Sequence, residues 1–183
     1  TLHGNLTLAL AEYGKLDGRF RLPLPARWPV ALDRHKHFDA SLAGKVREKG
    51  ALGLLFPGLV QESRGELTLD VQANGTPAAP RLAGRANLSQ AGAYLPTAGI
   101  LLQDTQISAR LEDETIFIDS FRAVSGPGHL EGSAQSRLSG WRIAGFEGRL
   151  QGDRFQTIYF PELQVQSSPR LSFAGTMEKV SVR

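Results

Sequence analysis

The 183 residues include no cysteine, which excludes both a disulfide framework and a thiolate metal site while leaving the redox compartment open. Long apolar runs are missing too. The longest, Ala51 to Val60, is about half of what a bilayer crossing needs, and Gly53, Pro57 and Gly58 interrupt it. No membrane span is therefore expected in this chain. Aromatic residues make up only 8%, few bulky rings with which to fill a closed core. A strong excess of one charge is also lacking, the net charge being +3. Lys and Arg are scattered over nearly every segment, and the densest spots, Arg34 to His37 and Lys45, Arg47 and Lys49, read as a solvated outer face. With no RNA-binding aromatic signature beside them, no nucleic-acid partner is expected. The chain opens without a signal peptide, Leu6, Leu8 and Leu10 already alternating, and Val180-Ser-Val-Arg reads as a strand cut short. The expectation is a segment excised from a longer repetitive protein.

What is present is a strand-and-turn beat. Gly65-Glu-Leu-Thr-Leu-Asp-Val-Gln-Ala alternates apolar with polar residues, and a period of two puts every apolar side chain on one face of a β-strand. Gly at 20 and Pro at 10 supply the turns that such a chain requires. The alternation predicts strands around Leu6–Leu10, Phe20–Leu24, Phe38–Val46, Leu67–Ala73, Leu82–Leu88, Ile100–Leu102 and Ile107–Leu111. It predicts more around Ile116–Ala123, Leu130–Leu138, Trp141–Leu150, Leu163–Val165 and Leu171–Met177. The fold class is all-β. Phase slips near Ser120 and Ala144 read as bulges that bend a sheet. Ala51 to Ser63 is the one place for a short helix or ordered loop, limited to about two turns by Pro57. The frame Gly-x-Leu-Thr-Leu occurs at Gly4 and again at Gly65, a weak internal repeat. Residues 1–183 are thus expected to form one segment, with a sub-repeat boundary near 50–64.

Motifs for chemistry are scarce. Gly126-Pro-Gly-His-Leu-Glu-Gly132 resembles a phosphate loop only in its glycines, because an alternating strand follows where a helix N-terminus is needed. It reads as a tight turn. His35 and His37 would share one strand face but have no third ligand at a known spacing. Glu112-Asp-Glu114 reads as an acidic hairpin tip, and no G-x-S-x-G elbow is present. No catalytic residue, cofactor or metal is expected, and the chain is not expected to be an enzyme.

Several turn-and-strand phrases together resemble one family. They are Gly75-Thr-Pro-Ala-Ala-Pro80-Arg-Leu-Ala-Gly84, Ala93-Tyr-Leu-Pro-Thr-Ala-Gly-Ile100 with the acidic turn at Asp104, and Ser125-Gly-Pro-Gly-His-Leu-Glu-Gly132. Gly152-Asp-Arg-Phe155 and Gln166-Ser-Ser-Pro169 continue the pattern. The order of these features is similar to the TamB proteins of the translocation and assembly module, within the AsmA-like group of bacterial envelope proteins. The resemblance implies a long periplasmic protein, anchored in the inner membrane by an N-terminal helix that is not expected within these residues. It further implies a partnership with the outer-membrane barrel TamA in outer-membrane protein assembly, phospholipid movement, and an antiparallel sheet curled into a taco-like trough with an apolar interior.

The residues allow such a trough. Its expected lining is Leu67, Leu69 and Val71, then Leu82 and Leu88, Ile107 and Leu111, Ile116 and Ile118, Leu130, Leu163 and Val165, and Leu171 and Phe173. Each CH₂ buried is worth about 0.8 kcal/mol, so a sixteen-carbon acyl chain offers on the order of 12 kcal/mol before binding costs. The same alternation also suits a closed β-sandwich. Three functions follow: a conduit for phospholipid acyl chains, a holding surface for unfolded outer-membrane polypeptides, or a carbohydrate-active β protein. The last would need ring-stacking aromatics in register, and Tyr13, Trp28, Tyr94, Trp141 and Tyr159 do not recur that way.

Overall fold

The computed structural model describes residues 2–10, 13–23, 35–49, 58–176 and 180–182. The described residues are nearly all strand. In order these are β1 (Leu2–Leu10), β2 (Gly14–Leu22), β3 (Phe38–Lys49), β4 (Gln61–Thr76), β5 (Ala79–Leu95), β6 (Ile100–Asp113) and β7 (Thr115–Ser125). There follow β8 (Gly128–Ser139), β9 (Arg142–Asp153), β10 (Phe155–Phe160), β11 (Leu163–Ser167), β12 (Arg170–Gly175) and β13 (Val180–Val182). Eleven of them form one antiparallel sheet in chain order, interrupted only where β10 and β11 leave it as a separate hairpin and β12 returns to pair with β9. The sheet has two ends, at β1 and β13, so it is not closed. Nor is it the expected alternative of two sheets clasped in a sandwich.

Short turns make neighbouring strands antiparallel. At the β4–β5 turn Thr76 Oγ1 accepts the Ala79 N–H at 3.2 Å, and the β5–β6 turn is closed by Ala98 N–H to Leu95 C=O at 3.2 Å and Gly99 N–H to Pro96 C=O at 3.3 Å. Gly126, with φ of 59°, takes the left-handed conformation that the tight β7–β8 turn needs. The expected acidic tip is present, since only Glu114 separates β6 from β7.

Bulges cross the middle of the sheet. The ladder shifts register between Gln61 and Arg64 on β4, Leu88 and Ala91 on β5, Gln103 and Gln106 on β6, and Ile118 and Phe121 on β7. Glu62, Gln90 and Asp104 sit in three of these shifts with φ of 51°, 51° and 45°. An extra residue on one strand bends it and sharpens the local twist, so bulges on four successive strands make a crease. The slip read near Ser120 is one of them. That near Ala144 is also found, where Arg137 faces Gly145 but Leu138 faces Ile143.

The sheet is also strongly bent from strand to strand. In a flat sheet β3 and β8 would lie about 24 Å apart, at some 4.8 Å per strand. Trp141, in the β8–β9 turn, nevertheless puts its ring 6.1 Å from that of Phe38 on β3, and its indole N–H donates to Pro77 C=O at 3.1 Å. The buried residues gather near the two ends of the strands. At one end is Phe38, 5% exposed. At the other, Ile100, Ala123 and Phe155 form a cluster packed by Leu95, Ala98, Leu102, Phe121 and Leu130.

Some expectations are corrected. The two strands predicted at Ile100–Leu102 and Ile107–Leu111 are one, because a bulge at Asp104 carries β6 through. Gly152–Phe155, one of the turn-and-strand phrases, spans the end of β9 and the start of β10, and β10 is a strand the alternation missed. His35 and His37 lie exposed in the approach to β3 rather than on a strand face. Of Ala51 to Ser63, residues 51–57 lie outside the described residues, and 61–63 begin β4 instead of a helix. Leu24, Trp28, Arg34 and Met177 also lie outside them.

Removing the buried ring of Phe155, 6% exposed, is expected to cost about 3 kcal/mol. Trp141→Ala, at a residue 59% exposed, is expected to cost roughly a third as much. Urea denaturation monitored by circular dichroism checks both.

Candidate functional site

Antiparallel pairing in register carries the sequence alternation from strand to strand. Beginning at Leu8 on β1, successive partners are Leu16, Gly44, Leu69, Ala86 and Ala109. The row continues through Ile118, Ala134, Gly148 and Phe173 to Val182 on β13. Every residue in it is apolar or glycine. A second row runs Leu6, Gly18, Leu42, Val71, Gly84, Leu111, Ile116, Ser136, Phe146, Gly175 and Val180. Its one polar member, Ser136, spends its hydroxyl on Gly145 C=O at 3.3 Å. A third, on the other side of the first, joins Val46, Leu67, Leu88, Ile107, Phe121, Gly132, Leu150 and Leu171. The result is an apolar stripe three residues wide across the sheet.

Glycines do not break the stripe, because larger neighbours lean over them. A Cβ built on Gly148 would lie 2.5 Å from the Phe173 ring, and those built on Gly132 and Gly152 would meet the Leu150 and Leu130 methyls at 3.1 Å and 2.9 Å. The ring of Phe20 covers Gly4 in the same way. At Gly84, whose φ is 134°, a side chain would run into the Asp70 carbonyl. Glycine there keeps β4 and β5 in contact.

The opposite face is polar and ion-paired. Lys45 Nζ lies 2.6 Å from Glu66 Oε1, with Arg47 Nε 3.7 Å from the other carboxylate oxygen. The hydrogen bond from Lys45 holds the Glu66 carboxyl below its usual value near 4.5. Asp17 is lowered likewise, first by Lys15 at 2.8 Å and then by the Thr7 hydroxyl at 3.0 Å. Arg110 bonds Asp119 at 2.9 Å and also Glu112, which raise its pKa, and its guanidinium lies 4.0 Å from the centre of the Phe117 ring. A hollow of about 780 Å³ is lined by Phe117, Gln135, Glu147 and Arg149 of this face together with Ile118 and Phe173 of the apolar row, among others. Its polar groups engage one another, as in Gln135 to Glu147 and Arg149 to Ser133.

The structure brings most of the expected lining together. Leu67, Leu69, Val71, Leu82, Leu88, Ile107, Leu111, Ile116, Ile118 and Leu130 share one face and are partly buried. Phe173 joins them partly buried and Leu171 at 37% exposure, near the β13 end of the sheet. Leu163 and Val165 do not, since they lie on β11 in the separate hairpin, Leu163 at 52% exposure. Sequence reasoning overlooked Leu16, whose alternation with Gly14, Gly18 and Phe20 on β2 was masked by the two glycines. Exposure rises toward the first edge, to 47% at Leu6 and 42% at Leu8. Among the described residues, no group of three His, Asp or Glu is placed to hold a metal. No family model, curated protein or solved structure matches the chain.

The lowered Glu66 and Asp17 carboxyls set a pH dependence. A depressed folded-state pKa gives stability that is complete above the unfolded value and is lost as pH falls through the folded value. Acid should therefore begin to weaken the polar face below about pH 4.5. In a carboxyl-carbon NMR titration Glu66 is expected to show a midpoint below 4.5, moving up toward it in Lys45→Met.

Proposed function

We propose that the apolar face carries phospholipid acyl chains, as one segment of a trough-shaped conduit that runs through the periplasm between inner and outer membranes. The observation that carries this reading is the unbroken row from Leu8 to Val182. An acyl chain is a uniform hydrocarbon with no polar group to satisfy, so what it needs is a continuous apolar path with no buried donor or acceptor along it. The contact of Trp141 with Phe38 and the crease of bulges support a sheet curled toward its apolar face, as a trough requires. Among the described residues no second layer covers most of that face, yet its apolar side chains are mostly half-buried, which supports shelter by a curved sheet.

The resemblance to TamB proteins supplies the setting: a longer protein held in the inner membrane and joined to an outer-membrane barrel partner of the TamA kind, in the service of outer-membrane protein assembly. No helix of the described residues is long and apolar enough to cross a membrane. The unpaired edge of β1, with Leu2 at 48% exposure, favours a second reading, in which an unfolded polypeptide is held by strand addition.

Crosslinking separates the two. With a photoreactive residue at Ile118, on the apolar row, capture of acyl chains supports the conduit, whereas capture of polypeptide at β1 supports the holding surface. In a folded variant, Leu69→Arg is expected to weaken binding of a fluorescent fatty acid roughly thirtyfold, equivalent to about 2 kcal/mol for a charge on a lipid-facing strand. Thr68→Arg, on the polar face, should leave it unchanged. Equal binding by both variants would remove the proposal.

A further inference from the structure

The β10–β11 hairpin is the one part of the described chain that leaves the sheet, and it does so without disturbing the ladder. Gly152 N–H donates to Pro169 C=O at 2.9 Å, so β9 and β12 close up beneath its base. From there β10 crosses β8, β7 and β6. The chain passes directly over Gly128, and Tyr159 N–H donates to Ala98 C=O at 2.9 Å in the β5–β6 turn. Among the described residues, that is the one backbone bond joining the hairpin tip to the sheet. Phe155 fills the apolar face at this end, against Ile100 and Ala123. Beyond it Gln156 packs over Gly126 and the Phe160 ring over Gly99, both in turns, while the side chains of the tip stay largely in solvent, with Tyr159 at 50%, Phe160 at 38% and Leu163 at 52% exposure.

We propose that this hairpin is a stopper on one end of the apolar face, which swings on its base so that an acyl chain replaces the Phe155 side chain over Ile100 and Ala123. This rests on reading that face as an acyl-chain surface. Three features suit the motion. The base is closed by its own hydrogen bond, so opening costs none of the sheet's pairing. Arg154, at the junction with β9, has φ of 44°, a conformation uncommon for a side-chain-bearing residue, and a strained junction of this kind suits a hinge. The tip presents two aromatic rings and a leucine, so hydrocarbon arriving there meets an apolar surface before Phe155 is displaced. Segments with few buried contacts open at low free energy, and moving lids are drawn from them.

The absence of cysteine makes a latch simple to build. Ala98→Cys with Tyr159→Cys places one pair where the two backbones are already hydrogen-bonded, within reach of a disulfide. Binding of cis-parinaric acid, a fluorescent fatty acid, is then measured for wild type, the reduced pair and the oxidised pair. The expected result is equal affinity for wild type and the reduced pair, and a loss of tenfold or more on oxidation. Phe155→Ala should bind several-fold more tightly. If that variant does not fold, the latch alone decides. Oxidised and reduced forms binding equally well, with wild type also binding, would overturn the stopper and leave the acyl-chain surface standing. A wild type that binds no probe would overturn both. Hydrogen exchange supplies a readout without ligand: β10 amides should exchange faster than those of β9 at its pairing with β12, and equal protection would also count against the stopper.

Discussion

The structure depends on in-register antiparallel pairing. Side chains alternate with a period of two, so a slip of one residue on any strand would turn its whole apolar set to the opposite face. The pairs Leu16 with Gly44, Leu69 with Ala86 and Ile118 with Ala134 hold because each strand has the same phase as its neighbour at these points. Where a strand is locally out of phase, as near Gln90 and Ser120, a bulge absorbs the extra residue and restores it. The bulges thus keep the face apolar while bending the sheet.

Among the described residues, that pairing leaves the apolar face without a second layer over most of its width. A sandwich would cover it with another sheet, but here the strand order follows the chain from β1 to β9 and then resumes at β12 and β13. At one end Trp141 reaches Phe38, and at the other the hairpin holds Phe155 against Ile100 and Ala123. Tall side chains leaning over glycines keep the remaining surface even. The outward face settles its charges locally, Glu66 with Lys45 and Arg47, Arg110 with Asp119 and Glu112, and so stays solvated. A largely apolar face, interrupted near one end by the buried hydroxyls of Thr105 and Ser125, fits the hydrocarbon guest proposed above.

Local sequence settled the strand class, most of the strand positions, the tight turns at Gly75 to Pro80 and Gly126 to Gly128, the acidic tip at Glu114, and which residues of β4 to β8 point the same way. These follow from side-chain alternation and turn chemistry, which are properties of a few consecutive residues. Leu163 and Val165 show the limit. They alternate as Leu69 and Val71 do, yet they belong to the hairpin, because nothing within five residues says which strand is their neighbour. The bulge residues Glu62 and Gln90 were equally hidden, since a positive φ at such residues is imposed by the strands on either side.

Tertiary structure alone decided that β12 skips back to β9, that β10 crosses the sheet, and that Trp141 meets Phe38. Each joins residues far apart in the chain, through hydrogen bonds and ring contacts that exist only once the sheet has bent. What the sequence by itself determined was an apolar side and a polar side for every strand. That these sides form one continuous surface, bounded by a ring at one end and a hairpin at the other, is the work of register and curvature summed over eleven strands.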